Sequence, residues 1–208
     1  RCADVTGVQT CALPIFKAGR NPDDHFALMQ KLHAGASAVP QALDALCVRL
    51  AELGIRMGSH DDATHEERKR WHDRTVAIAE FPETLEAAEA AQDTGDAIIL
   101  GAPNVVRGGS HKGNASAVEL ISMGLCDALA SDYHYPSPRR AALMLEKSGL
   151  ADLAGSWRLV SEGPAQILGL MDRGSLVPGK RADIVILDAE TYRVAATIVA
   201  GRFSHMSG

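Results

Sequence analysis

Four short apolar runs alternate with helix-length stretches along this chain, and each run ends at a group of polar residues. The runs occupy residues 54–58, 76–79, 97–100 and 126–130. Such alternation predicts consecutive β/α units, in which right-handed crossovers assemble the strands into one parallel sheet. In α/β barrels the carboxyl ends of the strands carry the active site. We therefore expect an α/β fold with chemistry at the carboxyl ends of these strands.

The stretches between the runs have the periodicity and the end signals of helices. Leucines and Cys47 recur at three- and four-residue steps over 39–54, and Thr84 is placed to cap an alanine-rich helix over 84–94. Further helices are predicted over 22–32, 63–74, 116–124, 138–148 and 164–170. From Gly174 onward, turn residues surround β-prone runs at 184–187 and 192–199, which predicts a small β domain.

The first fifteen residues are set apart from this pattern. Residues 5–15 look like the translation of a sequencing-library adapter, although a short strand before a turn at Pro14 is the alternative interpretation. We exclude residues 1–15 from the fold argument, as one excludes a tag. The predicted domains are then part of an α/β barrel over 16–173 and part of a β domain over 174–208.

The composition of the chain indicates which classes of molecule it can bind. The formal net charge of −5 gives no general attraction to nucleic acid or to an anionic membrane, and no run reaches the roughly 18 apolar residues of a membrane span. The four cysteines show no CxxC spacing, which favours reduced thiols in a cytoplasmic protein. We expect a small-molecule substrate, neither nucleic acid nor membrane as partner, and a capacity for homo-oligomers through uncovered sheet edges.

The polar residues after the runs are the first candidates for an active site. His60, Glu80, Asn104 and Asp132 follow the four runs, so we expect them around one pocket. An imidazole at a strand end is a common ligand of divalent metals, and Asp61 or Asp62 could orient its other ring nitrogen. The alternative interpretation is that residues 59–62 only begin the next helix.

Asp132 is a candidate because a carboxylate at the end of a buried strand is costly unless it is hydrogen-bonded, paired or bound to metal. Beside a metal-bound water, such a carboxylate can accept a proton and generate a nucleophile. Its alternative role is to cap the helix near Pro138.

The loop over 106–114 combines glycines with cationic side chains. Its glycines permit close backbone approach to phosphate oxygens, and Arg107, His111 and Lys112 supply charge. The order of a P-loop is absent, and the alternative interpretation is a mobile connection. We take the loop to be a phosphate-binding segment.

Taken together, these segments resemble the amidohydrolase superfamily, and within it the diphosphatases of phosphonate catabolism that belong to the carbon-phosphorus lyase pathway. The similarity runs from about residue 45 to residue 203 and is most specific over 101–111. The matching segments are 59–64, 78–82 with 84–88, 101–111, 131–133, and 172–174 with 179–183.

The resemblance implies a distorted (β/α)8 barrel that binds a divalent metal ion such as zinc or manganese. It also implies hydrolysis of a phosphoanhydride, with release of pyrophosphate from a ribose 5-triphosphate. By this analogy His60 and Asp132 bind the metal, and Asp132 also takes the proton from water. By the same analogy the substrate-binding residues are Asn104, Arg107, His111, Lys112 and Asn114. The residues that would orient the metal ligands are Asp61, Asp62 and Glu80. Lys112 departs from the family, which has serine there.

Two other hypotheses stay open. One is an amidohydrolase that cleaves a C–N bond in a small anionic substrate, and the other is a fragment without catalysis. The cationic loop over 106–114 favours a phosphorylated substrate, which argues against the first of these two hypotheses. The superfamily's early histidine motif has no counterpart before His60, so the four strands are expected to be the fifth to eighth of the barrel.

A first prediction follows for the 208-residue chain alone, which should lack diphosphatase activity. A catalytic metal needs about three protein ligands, and this sequence offers two at strand ends. The check is pyrophosphate release and solution mass with added divalent metal. Robust, metal-dependent turnover by a monomer would contradict the expectation.

Overall fold

A computed structural model describes residues 3–4, 9–10, 19, 21–108 and 115–207 of the chain. By internal packing the chain divides into two units, Arg1–Arg49 and Leu50–Gly208. In the first unit, strands β1 (Ala3–Asp4) and β2 (Gln9–Thr10) pair antiparallel, and helix α1 covers Pro22–Ala34. A 3-10 turn (Ala36–Ala38) leads into helix α2 (Val39–Glu52), in which the boundary between the units falls.

A four-stranded parallel sheet forms the centre of the second unit. Its strands are β3 (Gly58–His60), β4 (Ile78–Glu80), β5 (Ala97–Gly101) and β6 (Ala128–Ala130), in the order β3-β4-β5-β6. All three pairings are parallel, and the register sets His60 level with Glu80. The α/β fold predicted from the alternating runs is confirmed.

Helices connect these strands and follow the last of them. They are α3 (His65–His72), α4 (Leu85–Thr94), α5 (Ala102–Arg107), α6 (Ala117–Ser122), α7 (Ser137–Lys147), α8 (Leu153–Arg158) and α9 (Glu162–Ile167). The prediction for Thr84 is confirmed, because its hydroxyl accepts a hydrogen bond from the Ala87 amide at 3.1 Å. Helices α5 and α8 were not predicted, and the strand expected over 54–58 was misplaced, since β3 begins only at Gly58.

The main core lies between the sheet and the helices on one of its faces. Alternate residues of β5, Ile98 and Leu100, are buried on this face together with Leu120 and Leu145. Helix α4 contributes four buried alanines, whose small side chains allow the helix to lie close to the sheet. The opposite face of β5 carries Ala97, Ile99 and Gly101.

A small antiparallel sheet follows the helices. Strands β7 (Ile184–Leu187), β8 (Val194–Val199) and β9 (Arg202–Met206) pair in the order β7-β8-β9, as the two β-prone runs indicated for β7 and β8. Helix α7 contacts the turn before β8, because Arg139 donates a hydrogen bond to the Tyr192 carbonyl at 2.8 Å. In the described part of the chain, every helix is too short or too polar to cross a membrane.

The fully buried guanidinium of Arg68 connects α3 to three strands. Its Nη1 donates to the Ser59 hydroxyl at 2.6 Å and to the Asp62 carboxylate at 2.9 Å. Its Nη2 donates to the Val76 carbonyl just before β4, and its Nε lies 3.3 Å from the Asp96 carboxylate just before β5. We call these five residues the Arg68 clamp, which holds β3, β4 and β5 together.

The clamp leads to a stability prediction. Replacing Arg68 by methionine leaves two buried carboxylates without their cation, so the free energy of unfolding should fall by about 3–5 kcal/mol. On the same helix, Arg70 is 59% exposed and pairs with Glu66 at 3.5 Å, so Arg70→Met should cost less than about 1 kcal/mol. Urea unfolding measures both values. Similar losses in the two variants would contradict the role given to the clamp.

Candidate functional site

The backbone at the carboxyl edge of the parallel sheet is strained at three points. Asp61 follows β3, Phe81 follows β4 and Asp132 lies two residues after β6, with φ angles of 62°, 57° and 48°. A side chain in this left-handed region costs roughly 1–2 kcal/mol. Strained residues of this kind cluster at active sites and binding sites. Thr75, before β4 at the amino edge, has a φ of 63° as well, so the strain is more frequent at the carboxyl edge, and we take that edge as the candidate site.

His60, the last residue of β3, projects at this edge and is about half exposed. Its Nδ1 lies 3.0 Å from the Asp61 carboxylate, and its ring meets the Phe81 ring edge to face at 5.1 Å between centroids. Glu80 lies level with it on the neighbouring strand. The carboxylate of Asp61 is therefore placed to orient the imidazole, and its supporting role beside a metal ligand stays a prediction.

Asp62 has a different environment from the one we considered for it. Its carboxylate is buried in the Arg68 clamp and accepts a hydrogen bond from the Ser59 hydroxyl at 2.5 Å. The idea that residues 59–62 begin the next helix was also wrong. Thr64 caps helix α3, because its hydroxyl accepts from the Glu67 amide at 3.1 Å.

Asn104 and Arg107 form a hydrogen-bonded pair on helix α5, which begins directly after β5. Arg107 Nη2 donates to Asn104 Oδ1 at 2.6 Å. The Asn104 amide has room because residue 101 is glycine, where a Cβ atom would lie 3.2 Å from Asn104 Nδ2. The Arg107 guanidinium also lies 5.9 Å from the centroid of the Tyr133 ring. Side chains from α5 and from the loop after β6 thus meet at one cation.

A cavity of about 160 Å³ opens at this edge. Asp61, Phe81, Asn104 and Asp132 contribute to its wall, so all four strand ends share one space. Sites for drug-sized ligands typically measure about 300–1,000 Å³, so the cavity as described holds only part of a substrate.

Asp132 was singled out for a reason that the structure does not support. The residue is exposed, so no burial cost has to be offset. It does not cap the following helix either, because Pro136 stands at the N-cap of α7. What distinguishes Asp132 is its place on the cavity wall and its strained backbone.

Three of the predicted phosphate-binding residues, His111, Lys112 and Asn114, lie outside the described residues. Among the residues that are described, no three His, Cys, Asp or Glu side chains come together to hold a metal ion. The described part of the chain therefore does not form a metal site by itself. The metal-ligand roles of His60 and Asp132 stay predictions.

A larger cavity, of about 890 Å³, lies at the amino ends of the strands. The acidic groups on its wall serve the fold: Asp96 binds His72 Nδ1 at 2.9 Å, and Asp127 accepts a hydrogen bond from the Ile98 amide at 2.8 Å. Burial raises the pKa of the Cys126 thiol to about 12, which keeps it neutral and unreactive at ordinary pH. Because barrel enzymes place their chemistry at the other end, we assign the site to the smaller cavity.

Sequence comparison identifies relatives of the whole chain and of its parts. The profile of the amidohydrolase family matches residues 7–205. The alpha-D-ribose 1-methylphosphonate 5-triphosphate diphosphatase of Escherichia coli K12 is 48% identical over 148 residues, which make up 70% of this chain and 38% of that enzyme. An adenine deaminase of Cereibacter sphaeroides is 32% identical over 173 residues, covering 77% of this chain and 29% of that enzyme.

Structural comparison gives the same fold. The N-acetylglucosamine-6-phosphate deacetylase of Thermotoga maritima superposes with a TM-score of 0.60 at 18% identity, over 78% of this chain and 56% of that one. An identity this low bears on the fold and not on the substrate.

The strained backbone leads to a prediction for Asp132. Glycine tolerates its φ of 48°, whereas alanine does not, so Asp132→Gly should be more stable than Asp132→Ala by about 1 kcal/mol. Asp73 has an ordinary φ of −60°, and there the alanine variant should be the more stable one. Urea unfolding of the four variants gives both differences. The same order at both positions would show that Asp132 is not strained.

Proposed function

We propose, because the chain belongs to the amidohydrolase family, that the protein it forms is a hydrolase of a phosphoanhydride. The substrate we propose is alpha-D-ribose 1-methylphosphonate 5-triphosphate, from which water releases pyrophosphate and leaves the 5-phosphate. The name of the Escherichia coli relative supports this substrate. The chain spans 38% of that relative, so the activity of the whole protein is part of the proposal.

The observation that carries the proposal is an arginine held at the carboxyl edge of the sheet. Asn104 fixes the Arg107 guanidinium through the 2.6 Å hydrogen bond, next to the cavity that Asn104 and Asp132 line. A guanidinium forms short, charge-assisted hydrogen bonds to phosphate oxygens, often two at once. A triphosphate chain is the kind of ligand that such a group would bind.

The remaining steps concern water and proton transfer. Water attacks the phosphorus atom next to the ribose, the bond from that atom to the bridging oxygen breaks, and pyrophosphate leaves. We propose that the Asp132 carboxylate accepts the proton that water loses, because it is exposed on the same cavity. Arg107 would stabilise the negative charge on the phosphate oxygens during this step.

Metal dependence is general in the amidohydrolase superfamily. The described residues of this chain do not bring three metal-binding side chains together, so we derive no step through a metal. Our proposal for His60 is limited to a strand-end imidazole that Asp61 orients.

A second candidate is hydrolysis of a C–N bond in a small anionic substrate. It is favoured by the similarity to adenine deaminases, such as that of Cereibacter sphaeroides. Adenine itself is uncharged and offers no anion to Arg107. Release of ammonia from adenine and from adenosine 5′-monophosphate, an anionic compound with the same C–N bond, measured beside release of pyrophosphate from the ribose triphosphate, separates the two candidates.

The proposal is tested in a chimera with the Escherichia coli relative. The 148 aligned residues of that enzyme are replaced by the matching segment of this chain, and the products are identified by phosphorus NMR. We expect pyrophosphate and the ribose 5-phosphate. A folded chimera that leaves the triphosphate intact, while the unaltered Escherichia coli enzyme consumes it, would contradict the proposed function.

A prediction for Arg107 follows in the same chimera. Loss of a charge-assisted hydrogen bond costs about 1.5–3 kcal/mol, so Arg107→Ala should weaken triphosphate binding roughly ten- to a hundredfold. Arg70→Ala removes an exposed arginine of helix α3 and should leave binding unchanged. Calorimetric titration gives both affinities, and equal losses in the two variants would exclude a specific phosphate contact.

A further inference from the structure

The loop after β6 contains an aromatic ring that the site described so far does not use. Tyr133 follows Asp132 directly, and its side chain is 65% exposed. The centroid of its ring lies 5.9 Å from the Arg107 guanidinium carbon, within the distance of about 6 Å at which a cation is attracted to an aromatic face. The ring therefore contacts the cation to which we assign phosphate binding.

The loop that carries Tyr133 is anchored. The His134 amide donates to the Ser131 carbonyl at 2.9 Å, which closes a turn with Asp132 and Tyr133 at its two central positions. Ser137, the fully buried first residue of α7, donates its hydroxyl hydrogen bond to the His134 carbonyl at 2.6 Å. These two hydrogen bonds connect the turn to α7, so the backbone that carries the Tyr133 ring has a defined position.

Two described side chains contact the guanidinium of Arg107. Asn104 Oδ1 accepts one of its N–H groups at 2.6 Å, and the Tyr133 ring contacts it from the loop after β6. The amide of Asn104 is itself fixed beside Gly101, the last residue of β5. The position of Arg107 therefore depends on one contact within helix α5 and on one contact from the loop after β6.

We infer that Tyr133 is a positioning residue, whose ring holds the Arg107 guanidinium in place to bind a phosphate group of the substrate. The inference rests on the proposed function, because it deepens the role given there to Arg107. Asp132 and Tyr133 are consecutive. The same turn therefore positions Asp132, the proposed proton acceptor, and Tyr133, whose ring supports the phosphate-binding Arg107.

The test is calorimetric titration of the full 208-residue chain with inorganic tripolyphosphate. Tyr133→Leu removes the ring and should weaken binding about two- to fivefold, whereas Tyr133→Phe keeps the ring and should bind as the unchanged chain does. The control is Tyr135→Leu, which removes a ring that is 87% exposed two residues along the same loop and should have no effect. Urea unfolding midpoints establish that each variant is folded.

A double-mutant cycle separates positioning from a general effect on the loop. In an Arg107→Ala background, Tyr133→Leu should cause no further loss, because the ring acts only through the guanidinium. A further loss there would overturn the inference, and so would unchanged binding in Tyr133→Leu alone.

The same titrations distinguish this inference from the proposed function. If Arg107→Ala weakens binding and Tyr133→Leu does not, the positioning role fails and the phosphate contact stands. If Arg107→Ala has no effect, or the unchanged chain does not bind tripolyphosphate, the positioning role and the phosphate contact of Arg107 are both overturned, while the proposed reaction is decided by the chimera.

Discussion

The Arg68 clamp is the interaction on which the parallel sheet depends. A fully buried guanidinium is costly unless its partners compensate for lost water, and here they come from β3 and from the residues just before β4 and β5. Because the clamp fixes these strands relative to one another, their carboxyl ends finish at fixed positions. The placing of Asp61, Phe81 and Asn104 at one edge follows from that register.

The two ends of the sheet have different physical roles. At the amino end, Asp96 is paired with Arg68 and Asp127 accepts a hydrogen bond from the Ile98 amide, so these carboxylates serve stability, even though the larger cavity of about 890 Å³ lies there. At the carboxyl end, the backbone is strained at three positions, and polar groups such as Asp132 stay exposed. The stabilising interactions at the amino end of the sheet therefore offset the backbone strain of the solvent-accessible site at the carboxyl end.

The repeating β/α pattern could be predicted from sequence because it depends on local periodicity and caps such as Thr84. Helix α5 was missed because its six residues are too few to show a helical period, and its Pro103 is compatible with a first helical turn. The exposure of Asp132 and its backbone angle depend on how the chain turns after β6, which composition does not reveal. The contact between Tyr133 and Arg107 joins distant parts of the sequence, so only the fold could show it.

The central claim is that the carboxyl edge of the sheet, and not the larger cavity, receives the phosphate groups. A crystal structure of the chain with inorganic tripolyphosphate tests it most directly. The account predicts phosphate density within hydrogen-bond distance of the Arg107 guanidinium, beside Asn104 and Asp132. Density confined to the larger cavity at the amino ends, beside Arg56 and Arg158, would contradict it.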